Sequence, residues 1–334
     1  MPLPTIIQGP AVVVLDGAHI YSEGDIQLKF QRQTFNPKSQ IGSLGPRLQS
    51  QKIVINFTPV GQLDATYIGK LLPYGRAAET VSGGASAMPG FPVCTKTTVI
   101  HSIISGVTYT FTKSGITKMP QANFAATKPV WGDVEITCIG DVSKALTDTD
   151  QIAALGGSPS WGTGIDETKM VTQPYSLAVG ALSSPFDAIG ANEGFILDPK
   201  MTVKEITDES VGLASIVLES VDPELTFAPN NLTFAQIEEL VRVGTAGGGD
   251  ENLNIGQPIG RGIGTAGSYA GQDFVLTATD IGGRTITVTL YKGGASDYDG
   301  TFGVGTHQHR KLSVMSNRRF TSGVAQKLFD IAIA

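Results

Sequence analysis

One stretch of this sequence occurs twice. Ile55 to Gly75 reads INFTPVGQLDATYIGKLLPYG, and Leu225 to Gly244 reads LTFAPNNLTFAQIEELVRVG. With a one-residue gap, Phe57 matches Phe227, Pro59 matches Pro229, Leu63 matches Leu232, Ile68 matches Ile237, Leu71 matches Leu240 and Gly75 matches Gly244. A repeat constrains the fold strongly, because each copy must build the same supersecondary unit. Both copies predict an alternating strand, a proline that ends it, a short amphipathic helix and a glycine that stops the helix. Thr233 and Gln236 have capping-box spacing, and Ile237, Leu240 and Val241 fall on one helical face. In the first copy Asp64 is the cap, and Ile68, Leu71 and Leu72 form the face.

The match extends outward more weakly. Upstream, Ile26, Leu28 and Lys29 line up with Met201, Val203 and Lys204; downstream, Thr110, Phe111, Lys113 and Gly115 line up with Thr289, Leu290, Lys292 and Gly294. Each copy is expected to close on an apolar strand, Val134 to Ile139 or Leu328 to Ile333. The sequence therefore predicts a mainly β protein of two tandem β-sandwich domains, each with one short flanking α-helix. Its expected parts are an N-terminal arm over 1–13, a first domain over 14–140, a linker over 141–189 and a second domain over 190–334. At 334 residues each half can bury a core, and 41 glycines and 18 prolines supply the turns that short strands need.

The linker is rich in Ser, Gly, Thr and Asp, with a short helix expected near Asp148 to Leu155 ahead of Gly156 and Gly157. In the first copy, the alternating runs Asp25 to Phe35 and Gln51 to Phe57 predict a long hairpin with a projecting tip, Asn36 to Ser50. The second copy has the equivalent pair at Met201 to Thr207 and Ser215 to Phe227, with a shorter tip at Asp208 to Gly212.

Charge and cysteine content exclude several classes. The net charge of -6 provides no global basic field to hold the chain on nucleic acid or an anionic membrane. Cys94 and Cys138 are too few for a disulfide framework or a four-thiolate zinc site and are expected to be reduced, buried thiols. Met1 to Leu15 lacks a charged n-region, and its apolar run Ala11 to Leu15 is too short to span a bilayer, so a cytoplasmic site of synthesis is expected.

Three segments resemble the major tail tube proteins of long-tailed, siphovirus-like phages: the opening GPAVVVLDGAHIYSEGDIQLKFQ, the unit INFTPVGQLDATYIGKLLPYG, and FTKSGITKMPQANFAATKPVWGDVEITCIG. They cover most of the first copy; the second is similar chiefly through its likeness to the first. The resemblance implies small β-sandwich domains, each giving about four strands to an inner barrel closed by six domains. A chain with two such domains would close the ring as a homotrimer of pseudo-sixfold symmetry, with a hexamer as the alternative. The implied partners are further copies of the chain stacked helically, a tape measure protein, and tail terminator and distal tail proteins. The implied location is the virion tail, assembled in the host bacterial cytoplasm, with no membrane partner and no cofactor. About twenty-four strands spaced ~4.8 Å apart and tilted by roughly 40° make a barrel on the order of 50 Å across, wide enough for duplex DNA. An acidic chain suits a conduit, because a lysine- and arginine-rich bore would hold DNA through counterion release.

By the same likeness, the hairpin tip is a ring-stacking candidate, through Asn36, Pro37, Lys38, Gln40 and Arg47, and the Gly-, Ala- and Ser-rich stretch Gly75 to Pro92 is a second contact candidate. Arg310, Lys311, Arg318 and Arg319 form a basic cluster with Phe320 as its aromatic neighbour, which suits an intersubunit contact better than a single-strand groove.

No residue pattern calls for chemistry, and the chain is not expected to be an enzyme. Gly262, Gly264 and Gly267 make a GxGxxG, but no apolar strand precedes it and no helix follows. His307 and His309 could share one side of a strand near Asp297 and Asp299, yet no third imidazole or thiolate completes a zinc site, and an exposed or intersubunit face explains them better. His101 lies in an expected strand without a nucleophile and reads as structural. The alternatives are a tail terminator, distal tail or baseplate ring protein, or an injection device, and then a β-sandwich adhesin, for which two tryptophans are thin support.

Overall fold

Period-two alternation of apolar and polar residues runs through most of the chain, and the outcome is an antiparallel β protein. This computed structural model describes residues 6–7, 11–39, 42–43, 45, 47–76, 90–102, 107–125, 131–140, 152–155, 164–170, 175–180, 186–208, 212–233, 236–237, 240, 272–303, 306–316 and 327–334. Its first strands are β1 (Ile6–Ile7), β2 (Ala11–Leu15), β3 (Ala18–Tyr21), β4 (Ile26–Phe35), β5 (Lys38–Ser39), β6 (Gly42–Ser43) and β7 (Arg47–Phe57). Helix α1 (Ala65–Leu71) follows, then β8 (Lys96–Ser102), β9 (Val107–Lys118), β10 (Ala122–Phe124), β11 (Val134–Cys138), β12 (Ile152–Leu155) and β13 (Ser176–Val179). The remainder comprises β14 (Ala191–Asp198), β15 (Met201–Asp208), β16 (Gly212–Val221), β17 (Glu224–Pro229), β18 (Gln272–Thr279), β19 (Thr285–Gly303), β20 (Thr306–Ser316) and β21 (Phe329–Ile333).

Two large sheets result. One runs β1-β4-β7-β11-β9-β8-β2-β3, with β12 added to β9; the other runs β10-β14-β17-β20-β19-β18-β13, with β21 added to β19. The same scheme organises both. Strand β9 pairs with β8 along one side and, along the other, first with β12 and then with β11. Strand β19 pairs in the same way with β18, then β21, then β20. At the changeover stands a lysine in the left-handed region, Lys113 (φ 48°) in one sheet and Lys292 (φ 53°) in the other. Positive φ is uncommon away from glycine, so its recurrence at the matched lysines marks them as equivalent positions of the two sheets.

The pairing also corrects the outer parts of the alignment. Leu28 lies opposite Ile55 and Leu197 opposite Leu225, so the counterpart of Leu28 is Leu197 rather than Val203. The second hairpin is interrupted between β14 and β15 and again between β16 and β17, yet its register continues from Asp198 opposite Glu224 to Met201 opposite Val221. The counterpart of β11 is β20, and that of β21 is β12, not the pairing of Val134 to Ile139 with Leu328 to Ile333 that the apolar pattern suggests. Of Asp148 to Leu155, expected as a short helix, Ile152–Leu155 is strand: so short a helix leaves most of its backbone groups unpaired, whereas the side of β9 at Tyr109 to Phe111 offers a ladder. The first hairpin tip is shorter than expected, because Arg47 to Ser50 already belong to β7.

Both expected helix starts are present. Asp64 accepts from the Tyr67 amide at 2.8 Å. Thr233 and Gln236 cap reciprocally, Thr233 N–H donating to Gln236 Oε1 at 2.8 Å and Gln236 N–H to Thr233 Oγ1 at 3.4 Å. One hydrophobic cluster runs through both halves, including Phe111, Phe124 and Trp131 from the first and Phe195, Phe274 and Phe329 from the second. Trp131 is buried, its indole N–H donating to the Gln62 carbonyl at 2.9 Å. Trp131→Ala therefore removes about 3–5 kcal/mol of stability. Because the core is shared, urea unfolding of that variant followed by circular dichroism should keep a single transition at a lower midpoint; a second transition would disprove the shared core.

Candidate assembly interface

The junction between the halves is made by exchanging strand edges. Strand β10 leaves the first half and pairs with β14, setting Ala122 opposite Leu197 and Phe124 opposite Phe195. In return the β15–β16 arm reaches back. Leu218 N–H donates to the Phe91 carbonyl at 2.8 Å, while Gly90 and Val93 donate to the carbonyls of Leu218 and Ile216 at 2.7 and 2.8 Å. Beneath the arm, Leu213 and Ile216 are buried with Cys94 and Ile139, and Lys52 of β7 forms an ion pair with Glu205 of β15. Residues 90–93, on which the arm rests, lie so close to β9 that position 115 requires glycine, where a Cβ would stand 2.1 Å from the Val93 carbonyl oxygen.

A second set of contacts ties the end of α1 to the last strand. The carbonyl of Gly75 accepts from Leu328 and Phe329 at 2.7 and 3.3 Å, and Arg76 Nη2 lies 3.3 Å from Asp330 Oδ1. Gly75 has φ 81°, and a Cβ there would meet Val221 Cγ1 at 3.0 Å and Phe329 Cε1 at 3.1 Å. At the start of α1, residues 164–170 form a strap. The Leu63 amide donates to the Lys169 carbonyl at 3.0 Å, and the Gly282 amide to that of Thr168 at 3.1 Å. Arg284 completes the strap, donating to the Leu63 carbonyl at 2.9 Å while pairing with the buried carboxylate of Asp280 at 2.6 Å. A buried carboxylate is tolerable when paired and hydrogen-bonded in this way.

No protein-family model and no curated protein matches the chain.

The sequence candidates fall unevenly on the interface. Asn36 and Arg47 are exposed on the first arm, Pro37 is half-buried and Lys38 lies in β5, whereas Gln40 is outside the described residues. Lys311 pairs with Asp297 of its own chain at 3.2 Å. Arg310 sits in β20, but its side chain, with Arg318 and Arg319, is outside the described residues, as are the glycines of the GxGxxG and the side chains of His307 and His309. Of the Gly75 to Pro92 stretch, residues 77–89 are likewise outside them. His101 shares a hydrogen bond with Thr108 at 3.1 Å and stacks on His19 at 6.1 Å; burial, with His19 alongside, lowers its pKa.

Two open hollows, of about 570 and 760 Å³, flank α1, and most of the charged side chains lining them are paired within the chain. Asp16 pairs with Lys70 and Lys96, with the Lys70 hydrogen bond holding its carboxyl below the usual range; Asp64 is the helix cap and pairs with Lys169. Among the described residues no group of three or more His, Cys, Asp or Glu side chains could hold a metal ion, and no helix is long and apolar enough to cross a membrane. The contacts that seal the junction, Arg76 with Asp330 and Arg284 with the Leu63 carbonyl, carried no sequence signal, since each is made by an ordinary charged residue until the fold sets it opposite its partner.

Two measurements check this junction. Gly75→Ala introduces strain and a clash at once and should lower stability by about 2 kcal/mol, measured from the urea midpoint; an unchanged midpoint would contradict the packing described. Burial pushes the thiols of Cys94 and Cys138 up to about 12, so a maleimide at neutral pH should label neither in the folded chain and both after denaturation.

Proposed function

We propose that this chain is a structural virion protein, the subunit of a phage tail tube. In this reading three chains close a ring of pseudo-sixfold symmetry, rings stack helically, and DNA passes through the bore during ejection without specific binding. The tape measure protein occupies the growing tube, and tail terminator and distal tail proteins meet its ends. The chain performs no catalysis and needs no cofactor.

One observation carries the reading: two sheets with the same pairing scheme are joined inside one chain by trading strand edges. A junction built from repeated units can recur between chains, and closure of the series into a ring protects strand edges that would otherwise aggregate. The likeness of the first half to tail tube proteins and the net charge of -6 agree with a conduit that must not retain DNA.

Electron microscopy of the purified protein, across a concentration series, tests the proposal. Hollow filaments with a regular axial repeat are expected, with three chains per ring by mass measurement. Single rings that do not stack would favour a terminator or distal tail ring instead, and a monomer at every concentration would sink the assembly reading.

A further inference from the structure

The two long hairpins differ at one rung. In the first, Phe30 lies opposite Ile53, and the ladder runs through them from Leu28 opposite Ile55 to Gln31 opposite Lys52. With Leu28 matched to Leu197 and Ile55 to Leu225, the same rung of the second hairpin holds Pro199 and Pro223. Neither proline has an N–H to donate, and the ladder stops there: β14 and β17 stay in the large sheet, whereas β15 and β16 form a separate two-stranded sheet. At the gap Lys200 takes a left-handed backbone (φ 44°) and donates its own N–H to the Asp198 side chain at 3.0 Å. The strands are kept together across it by a long hydrogen bond, Asp222 N–H to the Lys200 carbonyl at 3.4 Å, and by the Lys200–Glu224 ion pair at 2.6 Å.

Beyond the gap, the arm lies on the face of the first sheet that points away from the main core. Along β7, Ile53 and Ile55 enter the main cluster, and Lys52 faces the arm and pairs with Glu205. At the end of β11, Ile136 and Cys138 enter the main cluster, while Ile139 belongs to a small second one. That cluster has four buried members, Cys94 and Ile139 from the body and Leu213 and Ile216 from the arm. Nearer the arm's root, Leu218 is buried in the main cluster, and Met201 and Val221 pack against it. Three backbone hydrogen bonds, joining Gly90, Phe91 and Val93 to Ile216 and Leu218, hold the arm down beside the ion pair.

We infer that β15–β16 is a flap, hinged at the rung of Pro199 and Pro223, that lifts off the first sheet while the main core stays folded. Lifting withdraws Leu218, opens the small cluster and breaks the three hydrogen bonds and the ion pair. It leaves the ladders of both large sheets in place, because none of their rungs lies in the arm. A unit with its own small core and few ties to the rest opens at lower cost than the whole chain unfolds. The first arm has no such hinge, since its ladder passes through Phe30 and Ile53 without a break. The motion belongs to a single chain, so it is independent of the tube reading and of whether copies of the chain meet.

The two cysteines report on this motion, Cys94 from beneath the flap and Cys138 from the main core. Both are closed to reagent in the folded chain, so maleimide labelling is followed by mass spectrometry in urea held below the unfolding transition. Cys94 is expected to react about tenfold or more faster than Cys138. Glu205→Lys sets like charge against Lys52 and should speed labelling of Cys94 alone, and Lys52→Glu on the same chain should reverse the gain. Pro199→Phe with Pro223→Ile gives the rung the residues of the first arm and should slow labelling of Cys94, circular dichroism confirming that each variant is folded. Equal rates at the two thiols would overturn the flap. So would a faster Cys94 that neither the charge reversal nor the proline replacement alters, because the opening would then lie in residues 90–93 and not at the hinge.

Discussion

Every strand at the border of a sheet presents a row of amide and carbonyl groups that must be paired, covered or left to water. In this chain that requirement organises the whole molecule. Strand β14 meets it by taking β10 from the other half, and residues 90–93 meet it by lying along β16. Neither contact can form unless both halves are folded against one another, and the hydrophobic cluster that fills the space between them is correspondingly continuous. The strap at residues 164–170 and the Gly75 carbonyl close the sides of the same junction with further backbone hydrogen bonds. The exchange thus joins two repeats around one continuous core.

Duplication followed by divergence explains the shape of the differences. What the two sheets share is backbone: the ladder order around β9 and β19, the left-handed lysine at the changeover, and the bulge in each long hairpin. What they do not share is surface. Ile26 to Phe57 holds five basic residues and no acidic one, whereas its match, Phe195 to Phe227, holds seven acidic residues and two basic ones. Backbone geometry is held by hydrogen bonds that tolerate many side chains, whereas surface charge is free to change.

On the tube reading, rings stacked head to tail present unlike faces at the two ends of the tube. Those unlike faces are where a terminator at one end and a distal tail protein at the other would each find a separate surface. Heterologous contacts close into rings when the rotation per unit permits and extend into filaments otherwise. A mechanical role also accords with how the charged groups around α1 are occupied, as caps and ion pairs within the scaffold.

The sequence by itself determined the mainly β class, the repeat, both helix starts and the buried state of Cys94 and Cys138, because each rests on local spacing: period two for strands, three residues for a capping box, small apolar side chains for the interior. It also located the matched lysines without disclosing their left-handed backbone. Tertiary structure alone decided which strands are neighbours. Ile152–Leu155 became a strand because β9 offered it a ladder, β10 joined the other sheet because β14 did, and Leu28 matched Leu197 because hydrogen-bond register, not apolar pattern, sets equivalence. The ion pairs Arg76–Asp330 and Lys52–Glu205 were illegible for the same reason. Pairing partners lie far apart in the chain, and local composition carries no record of what the fold will set opposite.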